Sequence, residues 1–267
     1  MLTWPENVGA FAIIFQAAGL SWTLSSEAAG YDAVNYGLWY DDVQFARVAM
    51  KHADIARRLK VKKIVLGECG HAHKALTVIA DRLLTGELNV PRESAMVTLE
   101  SIVMSGKLTF HPEKNLFPVT LHDPCNVVRA MGIVEPQRRI LRKIAPGFRE
   151  MTPSGVSNYC CGGGSGFALM SGHNFSDWRN LVSSRKKFSQ ILKAFENEPQ
   201  DAPKYVCAPC SNCKGTIRDF IGYYQAEKRS RLYYGGLVEL IVNALDGMKK
   251  PIIRFGESPS WEGTSLR

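Results

Sequence analysis

Residues 203–217 read PKYVCAPCSNCKGTI, and residues 61–76 read VKKIVLGECGHAHKAL. Each is a short apolar strand, a turn carrying cysteine, and the start of a helix. In the later stretch Lys204-Tyr205-Val206 is the strand, and Cys207, Cys210 and Cys213 occupy the turn. In the earlier one Lys63-Ile64-Val65-Leu66 runs through Gly67 and Cys69 into a helix from about His71 to Leu84. Laid over each other, the two stretches put Cys69 opposite Cys210. Strands that alternate with helices imply a mainly parallel sheet covered on both faces, so the expected fold class is α/β.

The same order extends outward in both directions. Upstream, Pro5 opens a helix to about Ala18, Trp22–Leu24 reads as a strand, and a helix runs from about Asp42 to Leu59. In that helix Val43, Ala46, Ala49 and Met50 are spaced for one buried face. Another helix covers about Ser94 to Val103. The second half opens with a strand at Pro118–Leu121 leading to Cys125, then a helix over about Val134–Ile144 and a strand near Phe148–Met151. The loop with Cys160 and Cys161 follows, then a long helix from about Phe175 to Phe195. After the Cys207–Cys213 turn come helices over about Lys214–Tyr224 and Leu237–Leu245. The stretch Trp22–Leu38 falls opposite Phe148–Phe167. The halves therefore read as two pseudo-repeated αβ units, the first truncated and degenerate, because strand, cysteine turn and helix coincide together. The expected division is a first repeat at 1–105 that starts mid-repeat, a linker at 106–117, a second, cysteine-rich repeat at 118–247, and a tail at 248–267. A first unit without an opening strand points to an amino-terminal region lost or separately encoded.

Composition bounds the function. The chain has 267 residues, 45% hydrophobic and 22% charged, as in a soluble globular protein. No apolar run approaches the roughly 18 residues that cross a bilayer. The segment Val8–Leu20 is short, has no basic leader and contains Gln16, so it reads as a buried helix, and the expected compartment is the cytoplasm. The net charge is +8. Its basic clusters, Lys51–Lys63, Arg138–Lys143, Arg185–Lys187 and Lys228–Arg231, read first as solvated helix faces. Docking to an acidic partner or an anionic membrane surface is the sharper alternative. No basic stripe with interleaved aromatics appears, which argues against nucleic acid.

Six of the seven cysteines fall in the second half. They are too few and too grouped for a secreted disulfide scaffold. Cys125 follows a strand in LHDPC, and Cys160 and Cys161 are adjacent and followed by Gly162, Gly163 and Gly164. Loops at the carboxyl ends of parallel strands gather in one crevice, which brings distant thiols together. Glycines let backbone approach a bulky group, and helix starts beyond the loops turn N–H groups toward anionic sulfur. Thiolates in such a set suit iron–sulfur clusters and zinc. A zinc-stabilised scaffold or binding module without redox turnover is the alternative, although an adjacent pair is awkward for tetrahedral zinc. A reactive dithiol at Cys160 and Cys161 leaves the other cysteines unexplained. His71 and His73 read as helix-start or surface residues. His122 and Asp123 read as shaping the Cys125 loop, with the carboxylate accepting local backbone bonds.

The pattern LHDPC…NYCCGGGSG…CSNCKGTI resembles the cysteine-rich CCG domain family, which includes the catalytic subunit of heterodisulfide reductase. Within it the likeness is strongest to heterodisulfide-reductase-like subunits of sulfate-reducer transmembrane redox complexes, and it extends from about Pro5 to Leu245. The resemblance implies an iron–sulfur oxidoreductase subunit with a [4Fe-4S] cluster of the noncubane kind, serving anaerobic respiration. It implies Cys125, Cys160, Cys161, Cys210 and Cys213 as cofactor ligands, with Cys207 extra. An alternative register uses Cys207 and Cys210 and leaves Cys213 spare. Asn126 stands where the family often has histidine, and AAGYDAVNYG at 28–37 stands where a CCG would be in the first repeat, so one cluster is expected. The implied partners are a ferredoxin-type iron–sulfur region or subunit, membrane redox subunits that hold the protein at the membrane, and a disulfide-bearing substrate.

Overall fold

The computed structural model describes residues 4–27, 41–79, 84–164, 176–248, 251–253 and 255. Helix α1 (Pro5–Ala17) begins with proline in its first turn, where the missing N–H costs nothing. Helix α2 (Asp42–Arg58) is capped by the Asp41 carboxylate, which accepts from the amides of Val43 and Gln44. Strand β1 (Ile64–Leu66) leads to α3 (Gly70–His73), which continues as a wider π-type turn over Lys74–Ile79. Strand β2 (Arg92–Ser94) pairs in parallel with β1 and runs directly into α4 (Ala95–Met104), capped by the Ser94 hydroxyl.

The second half supplies β3 (Val119–Leu121), the short helix α5 (Cys125–Val128), α6 (Glu135–Ile144) and β4 (Phe148–Arg149). After a π-type turn at Trp178–Ser183 come α7 (Arg185–Ala194), β5 (Lys204–Cys207) and α8 (Ser211–Tyr223). The last elements are α9 (Ala226–Ser230), β6 (Leu232–Gly235) and α10 (Leu237–Ala244). The four strands of this half form a parallel sheet in the order β4-β3-β5-β6. From β3 the chain steps outward to β4, then returns past β3 to place β5 on its other side. The topological switch point therefore lies between β3 and β5, and ligand crevices in open α/β sheets form at the carboxyl ends of such strands.

Strand alternation sorts the core. Val119, Leu121, Tyr205 and Cys207 face α1, α4, α6 and α10 in one apolar cluster. Val206 faces the opposite cluster with Ile191, Ile217 and Phe220 of α7 and α8. The sheet is covered on both faces, as an α/β fold requires. Helices α1 and α4, from the first half of the chain, share the cluster with α6 and α10 from the second.

Several local expectations are corrected. Residues Trp22–Leu24 join no strand, and Trp22 packs edge-on against Phe15 with ring centroids 6.1 Å apart. In α2 the buried face is Phe45, Val48, Ala49, His52, Ala53 and Ala56, whereas Val43 and Met50 are exposed. Two members of the basic clusters are buried and not solvated: Arg138 is 3% exposed and Lys187 is 0% exposed. Strands β2 and β6 were not foreseen. The AAGYDAVNYG stretch, the start of the helix expected from Phe175, and nearly all of the expected tail lie outside the described residues.

Candidate functional site

Three loops converge at the switch point. Cys125 follows β3, Cys160 and Cys161 follow β4, and Cys210 and Cys213 follow β5. All five line one cavity of about 210 Å³ together with Gly70, His71, Lys74, Asn126 and Asn212. The Cys161 and Cys213 sulfurs are 3.4 Å apart. Cys207 does not line the cavity: it ends β5 with its side chain on the other sheet face, among Tyr205 and the α10 cluster. Its carbonyl accepts from the His122 amide at 2.8 Å, so the β3 and β5 ladder extends up to the Cys125 loop.

The β1 turn enters from the side. Cys69 and Cys210 are built alike: each is the extended residue before a helix, and each amide bonds the carbonyl two residues back at 2.7 Å. The two turns also bond each other. The Gly70 amide donates to the Cys210 sulfur at 3.3 Å, and the Ser211 amide donates to the Glu68 carbonyl at 2.8 Å. Cys69 itself does not line the cavity.

Backbone amides from the CCG turn also point at sulfur. Gly162 N–H donates to Cys160 at 3.3 Å and Gly163 N–H to Cys161 at 3.4 Å. Gly162 has φ +85°, and a Cβ there would lie 2.4 Å from the Ser183 hydroxyl and 2.7 Å from its carbonyl oxygen, so only glycine fits. These donors favour thiolate. Hydrogen bonds from the Cys125 and Cys161 thiols, and then from Gly162, hold Cys160 far below the usual thiol range. The Cys213 thiol, with backbone donors, brings Cys210 down to about 6 against the effect of burial. Their hydrogen-bonding partners move the other way: Cys125 and Cys213 are pushed up strongly, and Cys161 to about 12, by sharing protons with neighbouring sulfurs and by burial.

Beneath the sulfurs lies a buried polar frame that sequence reading missed. Asp123 accepts a bidentate pair from Arg138 at 2.8 and 2.7 Å, and also bonds the Gly155 amide at 2.7 Å and Asn158 at 3.3 Å. The carboxylate therefore clamps the Cys125 loop to the segment that leads into Cys160, a long-range role and not the local one expected. Arg129 reinforces this through the Val156 carbonyl at 2.7 Å. Lys187 donates to Asn158, Gln190 and the Met151 sulfur. Burial lowers it to about 8, while Cys161, Asp123 and Cys213 favour its charge. On the β1 side, Lys214 contacts Asn7, Glu68 and Glu239, and its ammonium lies 4.7 Å over the Trp4 ring.

Residues 119–218 match the family model described as a cysteine-rich domain, CCG. The matched stretch contains every cysteine of the sequence except Cys69. The chain is also similar to the Hdr-like menaquinol oxidoreductase iron-sulfur subunit of Archaeoglobus profundus, at 24% identity over 93% of this chain and 48% of the relative. It is 36% identical to one subunit of the dihydromethanophenazine:CoB–CoM heterodisulfide reductase of Methanosarcina acetivorans, over 45% of this chain and 30% of that protein. A probable membrane-anchored ferredoxin of Chromohalobacter salexigens is 28% identical over 47% of this chain and 19% of its own. The chain thus spans about half or less of the length of these curated relatives. Among the described residues no helix is long and apolar enough to cross a membrane.

Proposed function

We propose that this chain is an iron–sulfur oxidoreductase subunit of an Hdr-like electron-transfer complex. Its CCG domain holds one [4Fe-4S] cluster, noncubane in form, on Cys125, Cys160, Cys161, Cys210 and Cys213. The observation that carries this reading is the convergence of those five thiols on one cavity from three strand-end loops. Five sulfurs exceed the four ligands of a structural zinc site. Amides aimed at three of them suit an anionic iron–sulfur group. Such a group supplies electron transfer at the switch-point crevice.

The chain's own residues hold and present it. Asp123, Arg138 and Arg129 fix two cysteine loops against each other. Lys187 places a cationic group behind the sulfurs. Cys160 is exposed, and His71, Lys74, Asn126 and Asn212 line the wall beside it, where a disulfide-bearing substrate or a partner's redox centre approaches. The names of the relatives support a complex with membrane redox subunits and a ferredoxin-type region or subunit as electron source. This sequence has no C-x-x-C-x-x-C-x-x-x-C-P run of its own. The working place of the chain is then the cytoplasmic side of a membrane complex.

Anaerobic purification followed by iron and acid-labile sulfide analysis tests the reading. About four irons with matching sulfide per chain are expected. Stoichiometric zinc without sulfide overturns it in favour of a zinc-stabilised scaffold.

A further inference from the structure

Lys187 is 0% exposed, whereas Lys186 and Lys193 of the same helix face solvent. Its ammonium donates to the side-chain oxygens of Asn158 and Gln190 and meets the Met151 sulfur at 3.6 Å. All three partners are neutral. Other buried cations are answered differently. Arg138 pairs with Asp123, Arg179 with Asp219 and Lys214 with Glu68, and Lys204 is ringed by four main-chain carbonyls. Asp123 reaches Lys187 only through Asn158, which donates to it at 3.3 Å, and that carboxylate already carries the bidentate pair from Arg138. A buried ammonium without a charged partner is costly, so Lys187 calls for a counter-charge.

The surroundings say where that charge is. Met151, against the ammonium, shares one buried cluster with Cys161, Cys213 and Ile191 of α7. Cys161 favours the charge of Lys187 more than Asp123 does, and Cys213 and Cys160 add to it. The other ionisable group packed against these sulfurs is His122, with a ring nitrogen in a group with the Cys161 and Cys213 sulfurs in which all lie within 4.8 Å of one another. Burial and the Lys187 ammonium keep that imidazole neutral, so it adds no charge of its own. The lysine is also held in place. Gln190 accepts from it and donates to the Pro153 carbonyl at 2.6 Å, in the segment that leads to Cys160.

We propose that Lys187 is the counter-charge of the iron–sulfur group: its ammonium, sealed behind Cys161 and Cys213, raises the reduction potential of the site. The inference rests on the iron–sulfur reading given above and names the residue that tunes it. Net charge is one of the levers that set such potentials. A positive charge in the low-dielectric interior favours the more negative, reduced state more strongly than the same charge at the surface. Lys74, which lines the open wall of the cavity, and Lys186 are exposed and act through solvent. Lys187 does not.

Anaerobic redox titration of the full chain, followed by electron paramagnetic resonance, tests this. Lys187→Gln keeps a hydrogen-bond donor and Lys187→Met keeps the apolar stem, and both remove the charge. Their potentials should fall below that of the wild type, and Lys187→Arg should stay near it. The drop should persist from about 0.1 to 1 M salt, because a buried charge is little screened. An unchanged or raised potential in the neutral variants overturns the inference and leaves the iron–sulfur reading intact. So does an equal drop in Lys187→Arg or in Lys186→Gln. Loss of iron from both neutral variants while Lys187→Arg loads normally is the same result in stronger form. Loss from all three makes Lys187 a packing residue and overturns the proposal. Absence of any iron–sulfur signal in wild-type protein overturns both readings.

Discussion

The amide of Gly70 donates to the sulfur of Cys210 across 140 positions of sequence at 3.3 Å, and so the two cysteine turns of the chain touch at the cavity wall. The contact assigns unequal roles to two cysteines in otherwise similar turns. Cys210 lines the cavity, whereas Cys69 supports it from behind through the backbone of the next residue. Cys210→Ser should therefore abolish the iron–sulfur signal of anaerobically purified protein, and Cys69→Ser should keep most of it. Iron content and the visible absorption of the two variants measure this directly. Equal loss in both would make Cys69 a ligand and end the assignment of the site to the second half alone.

A second prediction concerns the buried clamp. Arg138→Leu leaves the Asp123 carboxylate, 2% exposed, without its charged partner. Removing one member of a buried ion pair costs on the order of 3–5 kcal/mol. Urea unfolding of the metal-free protein should show a loss of that size. The Asp123→Leu/Arg138→Leu double variant should be less destabilised than the sum of the two single changes. A loss within about 1 kcal/mol, as for a surface pair, would show that the clamp is not needed.

Much of this was legible in the sequence, and the reasons for what was not are physical. The strand, cysteine turn and helix at 203–217 are strongly patterned, and the structure has β5, the turn and α8 there. The adjacent cysteines with glycines after them marked a turn of close approach, and Gly162 is such a turn. Strand β2 was hidden because Arg92-Glu93-Ser94 is polar, and only pairing with β1 makes it a strand. The buried face of α2 was misplaced because Val43 and Met50 are apolar but exposed, while His52 is buried. Lys187 was hidden for a related reason. A lysine between Lys186 and Phe188 reads as solvated until the fold aims it at Asn158 and the cysteine loops. Sequence spacing also left the final pair of cysteines open between two registers. Strand alternation at β5 turns Cys207 away from the cavity.

Cys160 gives a third prediction. It is exposed, and its sulfur accepts hydrogen bonds from Cys125, Cys161 and Gly162 that hold it as thiolate. An ordinary thiol, near 8.5, loses about tenfold in alkylation rate for each pH unit below that value. In metal-free, reduced protein, Cys160 should instead react with iodoacetamide at a nearly constant rate from about pH 6 to 8. Peptide mapping by mass spectrometry after short exposures reads the rate at this residue. A tenfold decline for each pH step over that range would show that its protons are not shared as the geometry indicates.

The last prediction is a pH dependence of stability that originates at Glu68. This carboxylate is 6% exposed and accepts from the Leu237 and Val238 amides at 2.6 and 3.2 Å, capping α10. Burial raises it to about 7, with Lys214 opposing the rise and Glu239 adding to it. An unfolded glutamate titrates near 4.3. Between these values the folded protein binds more protons than the unfolded chain, so stability must fall as pH rises from about 4.3 to 7 and level off above. The whole effect is at most roughly 3–4 kcal/mol, since each pH unit separating the two values is worth about 1.4 kcal/mol. Glu68→Gln keeps a carbonyl oxygen for the two amides and removes the charge. The variant should lose this downward slope, and above pH 7 it should equal or exceed the wild type in resistance to urea. Unfolding curves at half-unit steps from pH 5 to 8 supply the comparison. A wild-type slope that persists unchanged in Glu68→Gln would move the titration to another group, such as Glu6, which burial also raises.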